Sequence, residues 1–213
     1  MIQLAMLGLL AASAAHAEPS SKVAWTPEQL NFVKKGNAAH GKELAASCAA
    51  CHGEKGISQM PNFPSLAGQL ATYTYKQLQD YKTGNRTHSV MSPFAAGLSD
   101  QDMADIAAWF RSLPRAQQKS TNQNLETAEQ LVTKGDGKRT LPPCFVCHGS
   151  NGQGEKMDVP ALAGQQADYF FETLNAYKSG TRHNDIYSRM RLISQQLSDV
   201  EIRELAQYYQ QLN

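Results

Sequence analysis

All four cysteines of this 213-residue chain lie in two copies of one five-residue pattern, Cys48-Ala49-Ala50-Cys51-His52 and Cys144-Phe145-Val146-Cys147-His148. Two thiols separated by two residues in a tight turn span the two vinyl groups of a haem and add to them as thioethers. The next residue then turns an imidazole under the iron. Composition predicts roughly 0.002 chance copies of the pattern in such a chain, so two copies with no cysteine left over are not coincidence. A dithiol redox centre has no use for the following histidine. A zinc ribbon needs its cysteine pairs about 15–20 residues apart; these lie 96 apart. The chain is therefore expected to carry two covalent haems, on Cys48 and Cys51 and on Cys144 and Cys147, with His52 and His148 as iron ligands.

A shift of 96 residues that superposes the two patterns also superposes the residues C-terminal to them, the mark of a duplicated unit. Gly53 and Gly56 fall on Gly149 and Gly152, and Pro64-Ser65-Leu66-Ala67-Gly68-Gln69 falls on Pro160-Ala161-Leu162-Ala163-Gly164-Gln165. Between Pro64–Arg86 and Pro160–Arg182, 12 of 23 positions are identical, and after Arg182 the second copy carries three additional residues. Each copy reads as helical. Helices are predicted over Ala71 to Thr83 and Ala167 to Ser179, stopped by Gly84 and Gly180. Ser99 with Asp102, and Ser198 with Glu201, form capping patterns for a terminal helix. Met103, Ile106, Ala107 and Phe110 follow at helical spacing, as do Ile202, Leu205, Ala206 and Tyr209. A first helix is expected ahead of each haem motif, limited in the second copy by Leu141-Pro142-Pro143. No sustained two-residue alternation occurs, so an all-α fold with almost no sheet is expected.

The expected organisation is a leader over 1–17, a first lobe over 18–113, a polar connector over 114–125 and a second lobe over 126–213. Met1 to Ala17 is apolar and ends Ala15-His16-Ala17, a small-x-small cleavage pattern, which predicts export to the periplasm. No Lys or Arg precedes it, unlike a usual leader; left uncleaved, the stretch would hold the protein at a membrane surface. A net charge of +1 lacks the basic excess of a nucleic-acid binder. Nor is either half a charged docking body: residues 18–113 hold nine basic and eight acidic side chains, residues 114–213 eleven of each.

A vacant sixth iron position would bind a substrate, whereas a filled one leaves only electron exchange. Met91 and Met190 stand seven residues before Leu98 and Leu197, and of the seven methionines only these two coincide under the repeat. They are the expected sulfur ligands, carried on an irregular stretch before the terminal helix. His88 and His183 are nearby rivals at non-equivalent places, and read better as exposed loop residues. His40 reads as a surface helix residue.

The paired C-x-x-C-H motifs, Pro-x-Leu-Ala-Gly-Gln, Tyr-Lys-x-Gly-x-Arg and Met-x7-Ser-Asp resemble the two-domain dihaem cytochromes c, especially the cytochrome c4 family, over about Gly36 to Leu212. The resemblance implies two tandem class-I cytochrome c domains related by approximate twofold symmetry, with their haems close together. It implies the ligand pairs His52/Met91 and His148/Met190, and imidazoles hydrogen-bonded to the carbonyls of Pro64 and Pro160. Arg86 and Arg182 are candidate partners of haem propionates. The extension over 18–35, with Trp25, is expected at the domain junction, at a partner, or as a plain surface arm. Arg189 and Arg191 flank Met190, so the second haem is expected at the higher potential. The function implied is that of a periplasmic carrier of single electrons from a quinol-oxidising complex towards a haem–copper terminal oxidase. Alternatives are the dihaem subunit of a dehydrogenase such as a flavocytochrome sulfide dehydrogenase, or a haem peroxidase or thiosulfate-oxidising enzyme; the last two need an open or labile sixth position.

Overall fold

The duplicated sequence folds into two helical lobes. The computed structural model describes residues 25–117, 124–155 and 157–212; the expected leader and residues 118–123 of the expected connector lie outside the described residues. The first lobe runs α1 (Pro27–Lys34), α2 (Ala38–Leu44), a 3-10 turn, α3 (Ala49–His52), α4 (Ala71–Thr83), α5 (Met91–Ala96) and α6 (Asp100–Ser112). The second runs α7 (Glu126–Thr133), α8 (Phe145–His148), α9 (Ala167–Ser179), α10 (Arg189–Gln195) and α11 (Asp199–Gln211), with short 3-10 turns at Gly137–Arg139 and Ile186–Ser188. An isolated antiparallel β-bridge pairs Asp136 with Leu141.

Local chemistry sets the helix ends. α4 and α9 stop at Gly84 and Gly180, at φ +80° and +79°, where a left-handed residue ends the helix without a Cβ clash. α6 and α11 each start with a complete capping box, Ser99 with Asp102 and Ser198 with Glu201. α7 ends at Thr133, short of the Leu141-Pro142-Pro143 segment.

Each lobe has its own core. Val33, Tyr75, Leu78, Met103, Ile106 and Phe110 meet in the first, and Leu131, Phe170, Leu174, Ile202, Leu205 and Tyr209 in the second. The predicted inner faces of both terminal helices are buried. Gly41 lets α2 lie directly on α6: a Cβ there would stand 1.9 Å from the carbonyl oxygen of Asp105. Trp25 packs on the first core rather than at the junction of the lobes.

The lobes join through exchanged hydrogen bonds. Gln165 accepts from the Ser65 N–H at 2.9 Å and donates to the Ser65 carbonyl at 3.0 Å. Its repeat counterpart Gln69 does the same to Ala161, the counterpart of Ser65, at 2.8 and 3.0 Å. Arg86 donates to the Tyr169 hydroxyl at 3.2 Å, and Arg182 to the Tyr73 hydroxyl at 3.0 Å. Such reciprocity, in which i meets j and j meets i, is what a twofold relation between two copies produces.

Candidate functional site

Both haem motifs sit on a single helical turn, α3 or α8, that ends in a buried histidine, His52 at 5% and His148 at 8% exposure. The His52 Nδ1–H donates to the Pro64 carbonyl at 2.8 Å, and the His148 Nδ1–H to the Pro160 carbonyl at 3.0 Å. Burial pushes both imidazoles below their ordinary range, with the proline bonds opposing. Each ring is thus neutral at neutral pH, with Nε2 as its free lone pair and its tautomer set by the Nδ1 bond. The proline segments are themselves held. Leu66 N–H and Ala67 N–H donate to the Gly56 carbonyl, and Leu162 N–H and Ala163 N–H to the Gly152 carbonyl. The repeated Pro-x-Leu-Ala-Gly-Gln block is therefore the frame that aims each imidazole from behind.

None of the four cysteines is paired in a disulfide. Cys48, Cys51, His52 and Met91 line the same cavity as Cys144, Cys147, His148 and Met190; it runs continuously through both lobes with a volume of about 850 Å³. Met91 is the first residue of α5 and Met190 the second of α10, and each packs against its lobe's core. These are short helices, not the irregular stretches expected. Neither start has a side-chain cap, so nothing in the sequence announces them.

The wall between the two halves is basic and buried. Lys76 is 1% exposed beside Asp80, also 1%, and burial pulls its ammonium below the ordinary lysine range against the pull of Asp80. Arg86 donates to Gln77 and lies over the Tyr81 ring. Arg182 donates to Asn184, Tyr73 and Gln77, while its Nη1 is buried without a partner among the described residues. A buried cationic donor at a cavity wall is costly unless an anion meets it. The propionates of a haem supply such anions, so the residues fit that group. Burial would raise the Tyr169 phenol, but Arg86 and Arg182 outweigh it and hold it down to about 7.

The remaining histidines lie where the sequence places them, His40 on the surface of α2 and His88 and His183 exposed outside the helices. His40 is not a bystander: its Nδ1 meets Asp105 Oδ2 at 2.8 Å. His88 is exposed, and its Nδ1 accepts from the backbone N–H groups of Val90 and Met91. His183 is exposed. Arg189 and Arg191, which flank Met190, are paired with Asp158 and Asp185 at 3.6 and 2.7 Å. Sequence reasoning missed Tyr73, Tyr169, Gln77, Lys76 and Asn184. The first two coincide under the repeat and were open to detection; the other three have no matching counterpart.

A comparison with family descriptions matches "Cytochrome c" over residues 38–114 and 135–213. The chain is 39% identical to cytochrome c4 of Pseudomonas aeruginosa, covering 84% of this chain and 90% of that one. It is 38% identical to the thiosulfate dehydrogenase electron acceptor of Stutzerimonas stutzeri, over 78% of each. The crystal structure of reduced recombinant cytochrome c4 from Pseudomonas stutzeri superposes with a TM-score of 0.80 at 37% identity, covering 84% of this chain and 100% of that one.

Proposed function

We propose, for a chain that belongs to the cytochrome c family and within it to the dihaem cytochromes c4, that each lobe holds its iron between one histidine and one methionine and relays electrons through the junction of the lobes. The protein is an electron-transfer cytochrome with two covalently bound haem c groups, one in each lobe. The bound irons supply one-electron exchange; the rest is the work of the chain.

In this reading Cys48, Cys51, Cys144 and Cys147 anchor the two groups. With haem bound, the Nε2 atoms of His52 and His148, aimed by the Pro64 and Pro160 carbonyls, would hold the irons. The sulfurs of Met91 and Met190 would hold them as well, which would close both centres to substrate and favour a high potential. Arg86 and Arg182 hold the propionates at the lobe junction. The observation that carries the reading is the single cavity lined by both His/Met sets.

Kinship with the c4 cytochromes supports a periplasmic location, after cleavage behind Ala17. The donor is a quinol-oxidising complex and the acceptor a haem–copper oxidase. A second donor, a thiosulfate dehydrogenase, is favoured by the 38% identity to the electron acceptor of that enzyme. Stopped-flow mixing of the ferric holoprotein with each donor, then of the ferrous form with oxidase-containing membranes, tests the scheme. Rapid reduction of both haems by one donor and rapid reoxidation by the oxidase are expected. Reduction by neither donor, or direct turnover of peroxide or thiosulfate by the protein alone, would contradict it.

A further inference from the structure

The lobes are copies, yet the loops leading to their two methionines are held by different means. In the first lobe the hold is local. The His88 Nδ1 accepts from the N–H groups of Val90 at 3.2 Å and Met91 at 3.3 Å, and the His88 N–H donates to Ser92 Oγ at 3.0 Å.

In the second lobe the hold comes from the other domain. Asn184, 1% exposed, donates through Nδ2 to Gln77 Oε1 at 3.0 Å and to Asp80 Oδ2 at 2.7 Å. Its carbonyl accepts from Lys76 Nζ at 2.6 Å, and Lys76 is itself paired with Asp80 at 2.6 Å. All three partners lie on α4 of the first lobe. The repeat places Glu172, Thr173 and Ala176 at their equivalent positions, and Asn184 falls among the residues added in the second copy. A reciprocal tether therefore cannot form.

From Asn184 the hold continues through its chain neighbour Asp185 to Arg191, the residue after Met190. Asp185 accepts from the N–H of Arg191 at 3.0 Å and from its Nε at 2.7 Å, and Arg191 Nη2 donates to Ser188 Oγ at 2.8 Å. Between these anchors Tyr187 and Ser188 both stand at φ +56°, a conformation that non-glycine residues keep only where their surroundings impose it.

We propose that Lys76, Asp80 and Asn184 are positioning residues for the sulfur ligand of the second haem. Docking of the lobes holds Met190 in place, whereas Met91 is held by its own lobe. A partner that loosens the junction thereby opens the second iron alone. The proposal rests on the His/Met reading above.

The test is the rate at which added imidazole abolishes the far-red methionine-to-iron band of the ferric holoprotein. In a Met91→Ala background only the second lobe contributes that band. There Asn184→Leu accelerates its loss by about tenfold, the weight of one net hydrogen bond. In a Met190→Ala background the same substitution leaves the rate unchanged, and His88→Ala gives the opposite pattern. Should Asn184→Leu fail to fold, Lys76→Gln asks the same question by removing the bond to the Asn184 carbonyl together with the ion pair to Asp80. Unchanged rates, or equal acceleration in both lobes, overturn the tether. Absence of the band in Met91→Ala alone overturns the Met190 assignment itself and the tether with it.

Discussion

Arg182 shows how much one side chain can be asked to do at the lobe junction. Its guanidinium binds Tyr73, Gln77 and Asn184 and lies over the Tyr177 ring, yet Nη1 still lacks a partner among the described residues. Positive charge beside a haem favours the reduced iron. Arg182→Gln should therefore lower the midpoint potential of at least one haem by on the order of 50 mV, read by spectroelectrochemistry. His40 makes a different kind of statement. The hydrogen bond that His40 Nδ1–H donates to Asp105, opposed by slight desolvation, raises its pKa above the ordinary value. A raised folded-state pKa means that the pair contributes its full stability below the ordinary imidazole pKa and loses it as pH rises through the raised value. The melting-temperature gap between the parent and His40→Ala should be widest in mild acid and close above neutrality. His52 and His148 could be proposed as haem ligands from the sequence because attachment chemistry demands fixed residue types at fixed spacing. The pairing of His40 with Asp105 could not, since 65 residues separate the partners.

Among the helices, punctuation decided what could be read. α4 and α9 match their predicted ranges because a glycine ends each, and α6 and α11 because serine caps begin them. α5 and α10 escaped because helices of six and seven residues, uncapped, draw their stability from packing rather than propensity. Gly41 likewise reads as a mild helix weakness until α6 is seen against it. Gly41→Ala should improve local helix propensity yet destabilise the holoprotein by about 1–3 kcal/mol in urea denaturation, because the close approach to Asp105 leaves no room for a methyl group. Stability at or above that of the parent would show that α2 can slide away from α6 at no cost.

Across the two lobes together, the duplication explains the interface. Residues repeated in register, Gln69 with Gln165 and Tyr73 with Tyr169, proved to be those that cross to the other lobe. The repeat was visible in the sequence, but periodicity cannot say whether a repeated polar residue serves its own lobe or its twin. The asymmetric tether through Lys76 and Asn184 lay beyond reach because it breaks the repeat. Removing both glutamines, Gln69→Ala with Gln165→Ala, strips the N–H and carbonyl groups of Ser65 and Ala161 of their partners across the junction, and the N–H groups of Leu70 and Gln166 of theirs. It should weaken lobe docking by about 2–4 kcal/mol, seen as two separate unfolding transitions in the haem absorbance where the parent shows one. A single unshifted transition would mean that the lobes hold together by other contacts.

Electron carriage without catalysis requires a filled sixth position on each iron, and the proposed reading fills it with the sulfur of Met91 in one lobe and of Met190 in the other. The absorption spectrum of the purified ferric holoprotein, set beside those of Met91→Ala and Met190→Ala, tests this in one experiment. Two low-spin c-type haems are expected in the parent, with a far-red band that falls by about half in each variant, because each iron takes one sulfur. A high-spin centre in the untreated parent, or a band that either variant leaves intact, would contradict it.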